Sequence, residues 1–474
     1  LLQTYLLFNR NNDRYCLSLG GGFGTLIRMK KPVIIVSFII FLLVSFLYVF
    51  ASNNGFRACD LEIDKVCFDK ELSQYQVEDN ANITIEVNSV EYGEAIKQLW
   101  NQTHPDKNSI NIVLVNETNN ADLMYGNSND MALNYEMLTL LDENMENNRT
   151  DLSSELNING LRFIPFVGEG FAFITNKTEL ERLTGSWVDT NMNNIHDSFE
   201  SYESIVNAQK DWDTENQKLV ISLSEPYTLY PYFTSSDWKL FEDFNSYYPG
   251  FEKESFLESL RFIEMLSGVN WNESENNRAE SYTWEYPNVL YNDDFIFSQV
   301  ATWMFYEDMD KVHESEWVIS TFPKAYESSE NQLSPLLTEV YGYGININTE
   351  YPSAAHELMR LIYSVEGYQA KLDSSKDVIL SNKELLDQLV YPNEYVKQFS
   401  YAFLESESES LVAIEDYPSS LAIQLFYNID IENTIQKLWN KEITAEEAQI
   451  EIALKSDDWI MRQSKLFEGK LKNE

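Results

Sequence analysis

The sequence predicts an α/β protein of two lobes with a hinge between them, and three observations carry that expectation. At 474 residues and 55.2 kDa the chain exceeds what one core usually fills, so two cores are the starting point. Hydrophobic residues make up 44% and charged residues 23%, a globular balance. From residue 81 onward, apolar runs of strand length alternate with one-sided helical patterns.

The elements follow in chain order. Met29-Lys30-Lys31 precedes the apolar run Val33 to Phe50 and then the small and polar ASNN, which reads as an export signal, either cleaved or kept as an N-terminal anchor. Residues 1–28 would lie in front of that signal and are expected to be absent from the mature protein. Residues 29–58 are then signal or anchor, and 59–80 an acidic spacer. NITIEV (Asn82 to Val87) is a strand, Tyr92 to Asn101 a helix, and Ile110 to Val115 and Ala121 to Tyr125 two more strands. This β-α-β order predicts a mainly parallel sheet. Phe163 to Thr175, Lys218 to Leu223, Val300 to Tyr306, Trp317 to Phe322 and Tyr341 to Ile347 read as extended, and Glu254 to Leu266 as helix. In Pro352 to Ser364 the residues Ala355, Leu358, Met359, Ile362 and Tyr363 recur at one-sided helical spacing behind a first-turn proline. The last helix opens on Thr444-Ala445-Glu446-Glu447, a capping box. The acidic run at Ser406 to Ser410 reads as a solvated loop.

Charge narrows the partners. The first 58 residues hold six Lys or Arg and one acid, so the remainder, with 28 cations against 75 acids, carries −47. A body so acidic repels phosphate, which argues against nucleic acid and against direct adhesion to an anionic membrane. Membrane contact is expected only through the N-terminal segment. The three cysteines form no CxxC or Cys/His pattern, so zinc and thiol redox chemistry have no support. Cys59 and Cys67 could bridge in an oxidising compartment, or Cys59 could be free or lipidated. Neither a GxSxG elbow, a phosphate-cradling glycine loop nor an HExxH pattern occurs, and no organic cofactor is expected. Aromatic residues are 14%, and surplus rings either pack a core or stack on a flat ligand.

Five segments together resemble a known family. They are IPFVGEGFAFITNK (Ile164 to Lys177), SEPYTLYPYF (from Ser224), WVISTFP before Lys324, YGYGININ leading to Pro352, and ITAEEAQIEI near the C-terminus. Their order and spacing, over most of Asn82 to Lys455, resemble the extracellular solute-binding proteins of ABC importers, family 1, specifically the maltose and maltodextrin-binding group. The resemblance implies a periplasmic-binding-protein-like fold, with an N-lobe of 81–167 plus 346–395 and a C-lobe of 168–345 plus 396–474. It also implies chain crossings near Glu169 and near Tyr343 to Ile345. Glu225, Pro226 and Tyr227 would occupy the family's Glu-Pro-Tyr sugar contacts, and Glu169 its hinge-proximal glutamate. Carboxylates accept hydrogen bonds from sugar hydroxyls and rings cover C–H faces, so such a site needs both. Glu225 could instead cap a helix starting at Pro226.

The chain also departs from the family. Where the family has Gly-Pro-Trp stands Tyr306-Glu307-Asp308, which passes stacking to Trp303 or Tyr306. The family's N-lobe Trp aligns with Gly126, leaving Tyr125 beside it, and Phe426 or Tyr427 could replace a third stacking Trp. The implied function is carbohydrate binding without chemistry by an exported monomer that hands its ligand to a membrane permease. Two alternatives stay open: a glycoside hydrolase using Glu169 and Glu225, or a calcium-dependent surface interaction protein.

DTNMNNIHDSFE (Asp189 to Glu200) places oxygen side chains at positions 1, 3, 5, 9 and 12 of a twelve-residue loop. Asp189, Asn191, Asn193, Asp197 and Glu200, with the carbonyl of Ile195 at position 7, are what a structural Ca²⁺ needs. Asn194 stands where such loops carry glycine, and asparagine tolerates that backbone well. The alternative is a polar loop in which Asp197 caps the following helix.

Overall fold

The computed structural model describes residues 5–7, 14–18, 27–30, 59, 61, 64–115, 121–145, 156–157, 160–208, 212, 217–221, 226–240, 249–267, 295–304, 315–334, 336–375, 379–404, 409–410 and 425–471. The apolar run Val33 to Phe50 lies outside them. Among the described residues no helix is long and apolar enough to cross a membrane. The chain divides into two compact units, Leu1–Asp64 and Lys65–Glu474. In the first, β1 (Tyr5–Leu7), β2 (Arg14–Ser18) and β3 (Ile27–Lys30) form an antiparallel sheet.

The second unit is a mixed sheet wrapped by helices. A small ribbon of β4 (Phe68–Asp69) and β5 (Gln74–Tyr75) precedes β6 (Thr84–Val87), α1 (Val90–Thr103), β7 (Asn111–Leu114), β8 (Leu123–Asn127) and α2 (Ser128–Leu133). The long β9 (Leu161–Asn176) and α3 (Lys177–Thr184) follow, then β10 (Gln217–Leu219), α4 (Pro226–Phe233), α5 (Glu254–Ser267), β11 (Phe295–Ala301), β12 (Trp317–Ser320) and β13 (Leu336–Ile345). The chain ends in α6 (Pro352–Ile362), α7 (Val365–Ser374), α8 (Glu394–Leu404), α9 (Ile431–Trp439) and α10 (Ala445–Leu471).

The sheet is less parallel than the β-α-β order suggested. β6 pairs β7 and β8 in parallel, and β10 pairs β11 in parallel. Its middle is antiparallel: β9 pairs β11, β12 and β13, and β13 pairs β8. The crossover rule applies to strands joined through a helix, whereas β9 and β13 run past each other in opposite directions. Their approach is close enough to require glycine, because a Cβ on Gly342 would sit 2.1 Å from the Ile164 carbonyl oxygen.

Two large apolar clusters and a small one of Met131, Leu138 and Phe163 form among the described residues. One gathers Ile85, Trp100, Phe166, Tyr343, Leu358 and Phe403 around the β6–β8 end of the sheet. The other gathers Phe173, Tyr202, Leu260, Phe297, Phe426 and Ile435 around the β10–β11 end. β9 supplies both, since its alternation sends Ile174 to the first and Phe173 to the second.

Residues 65–80, expected as a spacer, are instead part of the first cluster's wall. Cys67, Tyr75 and Val77 are buried. One acid of this stretch serves as a cap: Glu78 accepts from the amides of Ser353 and Ala354 at 3.0 and 2.8 Å, satisfying the N-terminus of α6. The Tyr75 amide donates to Glu357 at 2.8 Å and its hydroxyl to Asp142 at 2.5 Å. Likewise, Glu409–Ser410, from the run read as a solvated loop, pairs with β13.

The capping box forms as written: the Glu447 amide donates to Thr444 Oγ1 at 3.2 Å, and the Thr444 amide to Glu447 Oε2 at 2.9 Å. Thr444→Ala is expected to lower the urea midpoint by an amount worth about 1 kcal/mol. An unchanged midpoint would show that α10 does not depend on its cap.

Candidate functional site: acids and rings on the crossing strands

The strands β8, β9 and β13 carry a cluster of acids and rings. Glu169, half-buried on β9, lies directly opposite Glu339 on β13, at a shift of register between Glu169 and Gly170. Such irregularities re-aim side chains locally. Like charges set opposite across a ladder are unfavourable, so the pair is not explained by sheet stability. The neighbouring backbone is pinned: Thr338 Oγ1 donates to the Glu169 carbonyl at 3.1 Å, and the Gly170 amide to Thr302 Oγ1 at 3.4 Å.

Period-two alternation places Glu339, Tyr341 and Tyr343 on one face of β13. Tyr125, on β8, pairs in register with Tyr343, and its ring stacks on Tyr341 at 5.7 Å and 5°. The Tyr341 hydroxyl donates to Glu339. The Tyr125 amide donates to the buried Glu86 at 3.2 Å. Burial and the negative fields of Glu169 and Glu339 push the Tyr125 phenol well above its ordinary value. Burial and Asp130 push Glu339 upward, and burial does the same to Glu86 against its bond from the Tyr125 amide. The cluster is therefore acceptor-rich and partly desolvated; Tyr125 is only 6% exposed, so the half-buried Tyr341 ring, backed by it, is the face nearest solvent. Chemically it can accept hydroxyl hydrogens and cover apolar C–H faces.

Of the residues chosen from sequence, Glu169 and Tyr125 are thus brought together. Trp303 lies close by, half-buried just after β11, its ring at 5.2 Å from Phe171 edge to face. Tyr227 sits in the first turn of α4, which packs against β13; its ring is partly exposed and leans on the second core. Pro226 opens α4, as a first-turn proline should. Tyr230, Tyr232 and Phe233 of the same stretch are buried in that core. Phe426 is fully buried there too, stacked on Phe233 at 6.2 Å, while Tyr427 is exposed on the outside. Glu225 and Tyr306 lie outside the described residues. Sequence reasoning missed Glu339, Tyr341 and Asp130. The signal for Glu339 and Tyr341 was an acid inside an otherwise apolar strand, LTEVYGYGI, whereas Asp130 had none.

The 189–200 loop folds on itself. Asp189 accepts from the amides of Asn193 and Asn194 at 3.2 and 3.0 Å, and Asn193 Oδ1 from the amide of Ile195 at 2.9 Å. The side-chain amides of Asn191 and Asn193 donate to Glu200, at 2.9 Å from Asn191 and 3.1 Å from Asn193. Asp197 Oδ1 accepts from the Thr190 amide at 2.8 Å, closing the loop, whereas the side chain of His196 takes the capping bond from Ser198. Asn194 has φ 63°, the left-handed conformation for which glycine is usual at this position. By type these oxygens suit a hard cation, but as placed Asp189, Asp197 and Glu200 do not bring three carboxylates within 4.8 Å of one another. Rotating the two asparagine amides by a half turn would direct their oxygens, in place of their nitrogens, toward Glu200.

No known family's sequence profile matches the chain, and no curated protein sequence does. Solved structures do. A maltodextrin-binding protein from L. casei BL23, without ligand, superposes with a TM-score of 0.59 at 14% identity, covering 80% of this chain and 99% of that one. A cyclo/maltodextrin-binding protein complexed with maltotetraose gives 0.59 at 14% identity, covering 81% and 98%. At this identity the likeness is one of fold, and the fold is the two-lobed α/β architecture of solute-binding proteins.

Proposed function

We propose that this chain is an exported carbohydrate-binding protein, which grips an oligosaccharide between its lobes without altering it and delivers it to the permease of an ABC importer. The observation that carries the reading is the stacked Tyr125–Tyr341 pair beside the opposed carboxylates of Glu169 and Glu339. That surface offers what a sugar requires, acceptors for its rim and rings for its faces. The likeness to two maltodextrin-binding structures supports the ligand class. Tyr227 and Trp303, together with Glu225, Pro226, Tyr306 and Tyr427, would complete the contacts. Closure is then a shift of population, because the ligand touches both lobes only when they are shut. Cys59 and Cys67 are each disulfide-bonded, the state an oxidising compartment produces, which supports export. A tryptophan-fluorescence titration across a panel of neutral oligosaccharides should saturate with at least one member, and the sugar should be recovered intact. Recovery of shortened sugar would establish a hydrolase in place of a receptor.

The 189–200 loop is proposed to hold one structural Ca²⁺ through Asp189, Asn191, Asn193, Asp197, Glu200 and the Ile195 carbonyl. Calorimetry is expected to give a single site that Glu200→Gln weakens at least tenfold. No heat at millimolar Ca²⁺ would leave a self-bonded polar loop.

A further inference from the structure

Two adjoining cavities, lined from the stretches 190–200, 234–239, 319–334 and 394–402, are not used by the hinge site. One, of about 680 Å³, is walled by Asn193 and Glu200 of the 189–200 loop on one side and by Lys324, Asn331 and Gln332 on the other. The second, of about 620 Å³, is lined by Thr321, Lys397, Gln398 and Tyr401. Asn193 and Gln332 line both, so the two meet there. Each is of the size that ligand pockets take.

We propose that the two cavities form one groove that binds a neutral oligosaccharide chain, separately from the hinge. Three features point to that ligand class. First, the walls mix donor-only, acceptor-only and two-way groups: the ammonium of Lys324, the carboxylates of Asp237 and Glu330, and the amides of Asn331 and Gln332. Hydroxyls, each both donor and acceptor, answer all three. With Asp197 and Glu200 engaged within the 189–200 loop, Asp237 and Glu330 balance Lys239 and Lys324 in the first cavity, which leaves no excess charge to select an ion. Second, a charged group there is left over: the half-buried Lys324 has an ammonium that makes no ion pair among the described residues. A buried polar group left unmatched costs free energy that a hydroxylated ligand can recover. Third, the wall is held in shape before any ligand arrives. The Lys324 amide donates to the Glu200 carbonyl at 2.9 Å, its carbonyl accepts from Tyr202 at 2.8 Å, and it bridges to Gln332. Such rigidity reduces the entropy lost on binding.

The groove and the hinge site are spatially distinct. Tyr227 lies in the first turn of α4 and Thr234, which lines the first cavity, follows its end, so a helix of roughly 12 Å separates them. None of Tyr125, Glu169, Glu339 and Trp303 lines either cavity.

The test is calorimetry with maltotetraose, cellotetraose and xylotetraose on the wild type, on Lys324→Met/Gln332→Ala and on Glu169→Gln, with thermal melting to confirm folding. The groove predicts that the double variant loses one binding component, or weakens it at least tenfold, while Glu169→Gln keeps that component. Should the hinge reading alone fail, Glu169→Gln would change nothing and the double variant would still lose its site. Unchanged isotherms in the folded double variant, or no heat from any of the three sugars, would overturn the groove. Slowed hydrogen exchange in peptides covering 324–334 on adding the binding sugar is the confirming readout.

Discussion

Glu357→Ala is expected to cost about 3–5 kcal/mol of stability, the largest single effect among the substitutions considered. The carboxylate of Glu357 has no exposed surface, yet it carries charge inside the first core. It is tolerated because every lone pair is used. Arg360 donates two bonds, Nε at 2.8 Å and an Nη at 2.7 Å, and the Tyr75 amide donates a third at 2.8 Å. His104 Nε2 lies 2.9 Å from Oε1. Removing the carboxylate strands a partly buried guanidinium and unties residues 65–80 from α6. Burial alone would raise this carboxyl, but the bonds from Arg360 and His104 outweigh it and hold it below the usual range. A depressed carboxyl stabilises the fold above its unfolded value, near pH ~4.3, and that contribution disappears as pH falls through the lower folded value. His356 acts in the same direction. Burial lowers it, and its Nε2 is without a partner among the described residues, so protonation in acid is disfavoured in the fold. The wild type should therefore lose urea resistance below about pH 4, and Glu357→Ala should show a flatter profile. Equal midpoints for the two proteins at pH 7 would contradict this account of the network.

Glu169→Gln is expected to weaken oligosaccharide binding roughly ten- to a hundredfold while leaving the melting temperature unchanged or slightly raised. A hydrogen bond to a charged acceptor is worth about 1.5–3 kcal/mol where its loss leaves a partner unmatched, which converts to that range. Stability should not fall, because the substitution relieves the like-charge opposition with Glu339 across β9 and β13. This pairing of effects separates a binding role from a structural one. A folded variant with unchanged affinity would remove Glu169 from the site, and one that unfolds would make it a structural residue.

Much of the architecture was legible because it depends on local pattern. The apolar run from Phe163 and the one-sided spacing behind Pro352 each specify an element through side-chain periodicity. Thr444 with Glu447, and Asn194 at the left-handed turn, specify backbone geometry through capping and turn chemistry. What the sequence did not disclose depends on partners far along the chain. The antiparallel crossing of β9 and β13 is set by register across 170 residues of separation between Glu169 and Glu339, and no local signal encodes it. For the same reason Glu339 and Tyr341 went unrecognised, since their significance lies in facing Glu169 and Tyr125. Residues 65–80 read as a spacer because their acids are numerous, and only the fold reveals one of them, Glu78, as the cap of α6. The rings of YTLYPYF divided on a finer point. A helix opening at Pro226 turns Tyr230, Tyr232 and Phe233 inward and leaves Tyr227 at the edge, a division that the run of rings alone does not encode.

The most direct measurement is a crystal structure grown with the tightest-binding member of the oligosaccharide panel. The account predicts an intact sugar whose faces lie on Tyr125 and Tyr341 and whose hydroxyls reach Glu169 and Glu339. Sugar density elsewhere with none against these four residues, or a cleaved product among them, would contradict it.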